Sequence, residues 1–370
     1  MIHPRKTAGS PYLEWAKLES AARFNLATSG MLSFPLAGLG VTIDQLEING
    51  PSIYGYEPLL QAIARRYRVP QECVVSAIGT SLANYLALAA ITEHGDEILV
   101  EQPTYELILS TARYLGLEIK RFQRRPEQNY ALDLADVERN MTARTRAIVI
   151  CNLHNPSGAL APDATLRDLG DIARRNNAYI IVDEVYREML FESQPKSAFH
   201  LDQERFIVTN SLTKAYGLSG LRCGWVLASP ELARRMFRIN DLHGATFVHP
   251  GELLSVIAFA QLAQISAQMK AILDANRKLL QEFLQSRDDL EYFWPEHGTI
   301  VFPRLKTGNV DTFCRVLRKE FDTSVVPGQF FEAPDRLRLG VGVATDHVRE
   351  ALQQLSHGLD RYKASQIVNV

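Results

Sequence analysis

Cysteine is scarce in this sequence. Four occur in 370 residues (Cys73, Cys151, Cys223 and Cys314), and no two stand at Cys-x-x-Cys spacing. That excludes a disulfide framework or a cysteine-built zinc site, and a reduced, cytoplasmic compartment is expected. No run approaches the roughly 20 apolar residues of a membrane-spanning helix. The opening stretch MIHPRKTAGSPYLEW has no apolar leader segment. An excess of one charge is also lacking: 40 Lys and Arg against 42 Asp and Glu give a formal charge of -2, mixed along the chain. A nucleic-acid binder would show a basic excess or stripe, so neither nucleic acid nor membrane is an expected partner. No Gly-x-Gly-x-x-Gly follows an apolar run, and GLSGLRCG has the wrong spacing, which excludes the nicotinamide fingerprint.

What is present is an ordinary globular composition, 46% hydrophobic and 22% charged. At about 150 residues per domain, the length allows roughly two domains. Short β-branched runs recur at 73–78, 96–101, 117–122, 145–152, 178–184, 205–210 and 222–229, with amphipathic stretches such as 164–177 between several of them. Strand–helix alternation predicts an α/β sheet, mostly parallel and covered on both faces. After Arg238 the pattern changes. A long helical region follows HPGELL; its first part, 253–265, is apolar nearly all round and is expected to be buried. Short strands are predicted near 299–305 and 336–342, then a last helix with Val348, Leu352, Leu355 and Leu359 on one face. The expected organisation is an N-terminal arm and part of a small domain at 1–45, a large domain at 46–245 and a smaller α+β domain at 246–370.

Parallel sheets bind ligands beyond the carboxyl ends of their strands, and here those ends are polar. The runs lead into Gly79-Thr80-Ser81, Gln102-Pro103-Thr104-Tyr105, Asn152 to Gly158, Asp183-Glu184-Val185-Tyr186 and Ser211-Leu212-Thr213-Lys214. In a parallel sheet all five share one rim. Gly79-Thr80-Ser81 opens a helix, whose free N–H groups suit a phosphate. Ser211 and Arg222 could add a hydroxyl and a guanidinium fork. Tyr105 offers a flat face, Asp183 a carboxylate, and Lys214 an amine able to form a Schiff base if its pKa is lowered.

The order and spacing of YGYEPLLQAIA, AIGTS, QPTY, HNPSG, VDEVY, SLTKAYGLSGLRCG, VPG and RLRLG resemble class I/II aminotransferases, fold type I enzymes dependent on pyridoxal 5'-phosphate. The resemblance implies a large domain with a mostly parallel seven-stranded sheet covered by helices, a smaller α+β domain, and a homodimer with its active site at the interface. It implies Lys214 as the Schiff-base lysine and proton shuttle. Asp183 would pair with the pyridine nitrogen, Tyr186 and Asn155 with the phenolic oxygen, and Tyr105 would stack on the ring. Gly79, Thr80, Ser81, Ser211 and Arg222 would form the phosphate cup, and Tyr54 would reach the neighbouring subunit's phosphate. Arg338, rather than Arg336, would grip the substrate carboxylate, with RLGVG where relatives read Arg-x-Ser-Phe-Ala. Gly30 would let the arm close over the substrate. No metal is expected.

The implied reaction is transamination between an L-amino acid and a 2-oxo acid by a ping-pong route. The alternative on the same scaffold is another reaction at Cα or Cβ, such as C–S β-elimination or a cyclising biosynthetic step. The stretch 240–252 holds His243 and His249 and no Arg or Lys, so a neutral or aromatic substrate is expected over aspartate.

Overall fold

A computed structural model describes residues 9–368. The first eight residues, read above for an apolar leader, and the last two of the C-terminal unit lie outside the described residues. All seven β-branched runs form strands of one sheet: β1 (Val74–Ile78), β2 (Glu97–Gln102), β3 (Glu118–Gln123), β4 (Thr145–Cys151), β5 (Tyr179–Asp183), β6 (Phe206–Ser211) and β7 (Cys223–Leu227). The spatial order is β1-β7-β6-β5-β4-β2-β3. β7 runs antiparallel to both its neighbours, and the other six strands point the same way. The five polar strand ends therefore do share one rim.

Apart from the edge strand β3, whose pattern EIKRFQ is largely open, the sheet is buried on both faces, which explains why its inner strands read as continuous apolar runs. Successive side chains alternate between two cores. Ile148, Ile150, Ile180, Val182 and Val208 join one, while Ala147, Val149, Ile181 and Ile207 join the other. Each buried Val or Ile contributes about 1.5–3 kcal/mol relative to exposure.

Three features outside the sheet position the site. The arm begins with α1 (Pro11–Leu18), where Ser10 caps the first turn through a 3.2 Å bond from the Leu13 N–H and proline occupies the first position. Further on, Phe24–Asn25 pairs in parallel with Thr323–Ser324 of the C-terminal unit. That unit holds a small antiparallel sheet in which β10 (Leu337–Gly340) lies between β8 (Ile300–Val301) and β9 (Val326–Pro327). The last helix, Thr345–Val368, buries Val348, Leu352, Leu355 and Leu359 as its spacing predicts.

The helical region after Arg238 differs from expectation. It forms two helices, His249–Ala260 and Leu262–Gln285, bent by 77° at Gln261. The first is only half-buried, with Leu253, Leu254, Val256, Ile257 and Phe259 partly open. Only one of its sides packs on the body of the molecule, around Glu252, Ser255 and Ala258, so uniform apolarity did not produce uniform burial. Among the described residues no single helix is long and apolar enough to cross a membrane.

Candidate active site

A cleft of about 180 Å³ opens at the rim, and it gathers ten of the thirteen residues singled out in the sequence: Thr80, Ser81, Tyr105, Asn155, Asp183, Tyr186, Ser211, Lys214, Arg222 and Arg338. Gly79 and Gly30 back it. Gly79 sits at φ +73, where a Cβ would collide with the Arg222 guanidinium, so glycine serves both the turn and the approach of that side chain. A Cβ at Gly30 would press on Lys214 Cδ at 3.3 Å. Tyr54 is not brought to this cleft. It is 40% exposed on the outer surface, accepting from Arg238 at 2.6 Å and donating to Asp241 at 3.2 Å.

On the sheet side, Thr80 Oγ1 donates to Ser211 Oγ at 2.8 Å. Asp183 accepts from Asn84 Nδ2 at 2.9 Å and from the Val185 N–H at 3.0 Å. Lys214 Nζ donates to Ser29 Oγ at 2.9 Å, and Tyr186 Oη donates to the same oxygen at 2.8 Å. On the opposite side Arg338 is 1% exposed. Its Nη1 donates to Asn155 Oδ1 at 2.9 Å, and its Nη2 to Tyr12 Oη at 3.0 Å and the Ala27 carbonyl at 3.2 Å. Its Nε is buried without a partner among the described residues. Arg336 donates instead to the Phe302 carbonyl and lies over the Tyr130 and Phe302 rings, away from the cleft. His249 bonds Ser52 and His243 packs on Tyr85, so neither histidine lines the cleft.

Residues 44–355 match the family model for aminotransferase class I and II. The chain belongs to that family. Its relatives include the capreomycidine synthase of Streptomyces vinaceus, 28% identical with 96% of this chain and 95% of that protein covered. The arginine–pyruvate transaminase of Pseudomonas aeruginosa is 27% identical, with 93% and 92% covered. A PLP-dependent aminotransferase from Streptococcus suis superposes with a TM-score of 0.90 at 26% identity, covering 96% of this chain and 98% of that one.

The cofactor of this aminotransferase-family chain is pyridoxal phosphate, and the cleft fits it on its own chemistry. No side chain caps the amino terminus of α2 (Gly79–Ile91), which leaves the first-turn N–H groups for an anion. Beside it, Gly224 leaves room where a Cβ would strike the Gly79 backbone, and Arg222 lies against Gly79. Asp183 is 3% exposed, and no Arg or Lys among the described residues forms an ion pair with it within 4 Å. Burial pushes its carboxyl up to about 6, against the pull of Asn84, the Val185 N–H and the Lys214 charge. A cationic ring nitrogen facing it would offset that burial. Burial, with Arg338 next, pushes the Lys214 amine down to about 8; Asp183 opposes and Arg222 adds to the fall.

Sequence reasoning missed three groups. Asn84 stands four residues after Thr80, on the same face of α2, so helical spacing alone could have found it. Its Oδ1 accepts from Thr209 at 2.5 Å, which fixes the amide that holds Asp183. Tyr12 lies on the arm helix and packs edge-on against Tyr105, ring centres 5.6 Å apart. Ser29 directly precedes Gly30. Neither arm residue has a local pattern that separates it from ordinary core or turn chemistry.

Proposed function

We propose that the chain is an aminotransferase that moves an amino group from an L-amino acid to a 2-oxo acid, with Lys214 as its catalytic residue. The observation that carries this is the convergence of the Lys214 amine, the buried Asp183 carboxylate and the Arg338 guanidinium on one cleft. When bound, pyridoxal phosphate supplies an electron sink for a carbanion at the substrate Cα. Thr80, Ser81, Ser211 and Arg222, with the start of α2, hold the phosphate. Asp183 holds the ring nitrogen in its charged form, and Asn84 orients Asp183. Tyr105 covers the ring face, and Tyr186 and Asn155 hold its phenolic oxygen. Arg338 takes the substrate carboxylate as a fork. Lys214 Nζ moves the Cα proton, a role worth about 10²–10⁴-fold in rate.

The cations lining the cleft are Lys214, Arg222 and Arg338, and each has a task in this scheme. Among the described residues no further cation lines the cleft to receive a side-chain carboxylate, which supports a neutral or aromatic donor over aspartate. Ile43, Ile48, Ile53, Leu242 and Val248 are 59–89% exposed. Such an apolar surface supports a homodimer, with Tyr54 reaching the partner's phosphate; sedimentation of the loaded protein tests it. A cytoplasmic location is proposed from cysteine usage alone.

The test is half-reaction spectroscopy with a panel of amino acids. A donor should convert the lysine-bound cofactor to its amine form, and added 2-oxo acid should reverse the change. A relative named as a synthase favours a second reading, in which the same residues serve another Cα or Cβ reaction, such as a cyclising step or C–S β-elimination. Pyruvate and ammonia from a cysteine conjugate, without added oxo acid, would establish the elimination; a cyclised amino acid would establish the cyclisation.

A further inference from the structure

Ser29 is 4% exposed, and its Oγ accepts from both Lys214 Nζ and Tyr186 Oη, at 2.9 and 2.8 Å. Its backbone is fixed from several directions. The Met31 N–H donates to the Lys214 carbonyl at 2.7 Å and the Phe34 N–H to the Gly217 carbonyl at 3.0 Å. Thr299 Oγ1 donates to the Ser29 carbonyl at 2.7 Å. The Gly340 N–H donates to the Leu26 carbonyl at 2.7 Å, and the Leu32 N–H to the Gly342 carbonyl at 2.5 Å. This approach to β10 requires glycine. A Cβ at Gly340 would fall on the Thr28 carbonyl oxygen, and one at Gly342 on that of Gly30. The RLGVG departure thus has a structural purpose: it lets the arm lie tightly enough to bring one hydroxyl to the lysine. Functional groups need placement within about 0.5 Å, and rigid backbone supplies it.

We propose that Ser29 is a positioning residue that aims the Lys214 amine into the cleft and satisfies it in both protonation states. The proposal rests on the reading of Lys214 as the cofactor-anchoring, proton-moving lysine. When Nζ takes the Cα proton, the Cα–H bond breaks, its electron pair stays with the substrate carbon, and a new N–H bond forms. The ammonium then has one more donor to place, and Ser29 Oγ accepts it. When Nζ gives the proton up, the Ser29 hydroxyl turns and donates to the free lone pair. A hydroxyl can do both, because it carries one donor and two lone pairs.

The other groups facing the amine divide in sign. Asp183 favours the ammonium, whereas Arg338 and Arg222 oppose it. The Tyr186 ring centre lies 5.9 Å from Nζ. With two guanidinium groups opposing the charge, loss of the Ser29 acceptor should make the ammonium easier to deprotonate.

Two measurements test this. In the apoprotein, the pH dependence of Lys214 acylation, followed by mass spectrometry, reads the amine directly. In the holoenzyme, single-turnover exchange of the substrate Cα hydrogen for deuterium reads the proton transfer. Ser29→Ala should lower the acylation midpoint by roughly half a unit and slow exchange by about tenfold, with cofactor affinity unchanged. Ser29→Thr, which keeps the hydroxyl, should return both towards wild type. Should the Ala protein fail to fold, Ser29→Cys carries the same expectation, since sulfur accepts hydrogen bonds weakly. An unmoved midpoint and rate in the Ala protein would overturn the proposal, as would a Thr protein that behaves like the Ala protein. Lys214→Ala separates this from the underlying reading. If that variant still forms the lysine-bound absorbance, the assignment of Lys214 fails; if it does not and Ser29→Ala is silent, only Ser29 does.

Discussion

The two walls of the cleft are built differently. On the sheet side, Asp183 and Ser211 are the last residues of β5 and β6, Thr80 follows β1 by two residues, and Lys214 follows β6 by three. On the other side, Tyr12 comes from the arm helix, Ser29 from the extended arm, and Arg338 from the middle of β10. The first wall is set by local geometry: once the sheet forms, its strand ends can go nowhere else. The second is assembled from segments more than 300 residues apart, as in the bond from Arg338 to Tyr12. Asn155, on the sheet side, joins the two through Arg338 Nη1. Chemistry at the cofactor should therefore fail outright when the first wall is cut, while substrate binding should degrade by degrees when the second is.

The largest effect is expected from Lys214→Ala. Loss of the positioned amine should remove the lysine-bound absorbance and lower turnover by about 10²–10⁴-fold, while the fold, read by circular dichroism, persists. An alanine protein with wild-type turnover would place the catalytic amine elsewhere.

Arg338→Lys cuts the second wall. Lysine keeps a charge and loses the planar fork, so the expected result is KM for the amino acid raised by about 10–100-fold and cofactor affinity unchanged. A large fall in cofactor affinity would mean that the two walls are one unit.

The same division explains what could be read from the sequence. The inner strands of the large sheet were legible because burial on both faces makes them continuous apolar runs, while the edge strand β3, EIKRFQ, is largely open and showed only alternation. Their terminal residues were legible because parallel strands end together. Arg338 needed the family motif, since nothing local separates it from Arg336: both are buried, and only the register of β10, with Val326 opposite Arg338, decides which one enters the cleft. Ser29 and Tyr12 were invisible, because each acquires a role only when the arm lies across two units. The half-buried helix His249–Ala260 was misread for a related reason. Apolarity states that a surface is to be covered, and it does not state by what.

The apoprotein offers a pH test of the first wall. The Lys214 amine is pushed down to about 8 by burial first, against roughly 10.4 when unfolded. Between those values the unfolded chain binds more protons than the folded one, so stability should rise with pH through that window and fall as pH drops through 8. The slope cannot exceed about 1.4 kcal/mol per pH unit from one group. Urea denaturation of apo wild type and apo Lys214→Met between pH 7.5 and 9.5 should show this component in the first and not in the second. Identical profiles would mean that the amine is solvated in the apo cleft.

Tyr12→Phe should give the smallest effect and the sharpest reading of the second wall. The change keeps the ring, and with it the edge-on contact to Tyr105 and the position over the Arg338 guanidinium, 5.7 Å from the ring centre. It removes only the 3.0 Å bond from Arg338 Nη2 to the phenol. A single such bond is worth about 0.5–1.5 kcal/mol net, so KM should move by about 2–10-fold. The direction separates two roles. If the phenol merely orients the fork, Arg338 loosens and KM rises. If instead it competes with the substrate carboxylate for Nη2, its removal frees a donor and KM falls. Burial favours the first: Arg338 already carries an unpartnered Nε and lies in a nearly closed site, so a second unpaired N–H would disorder the fork more than it would help the ligand. A KM that falls would show that the arm helix gates the carboxylate site rather than building it.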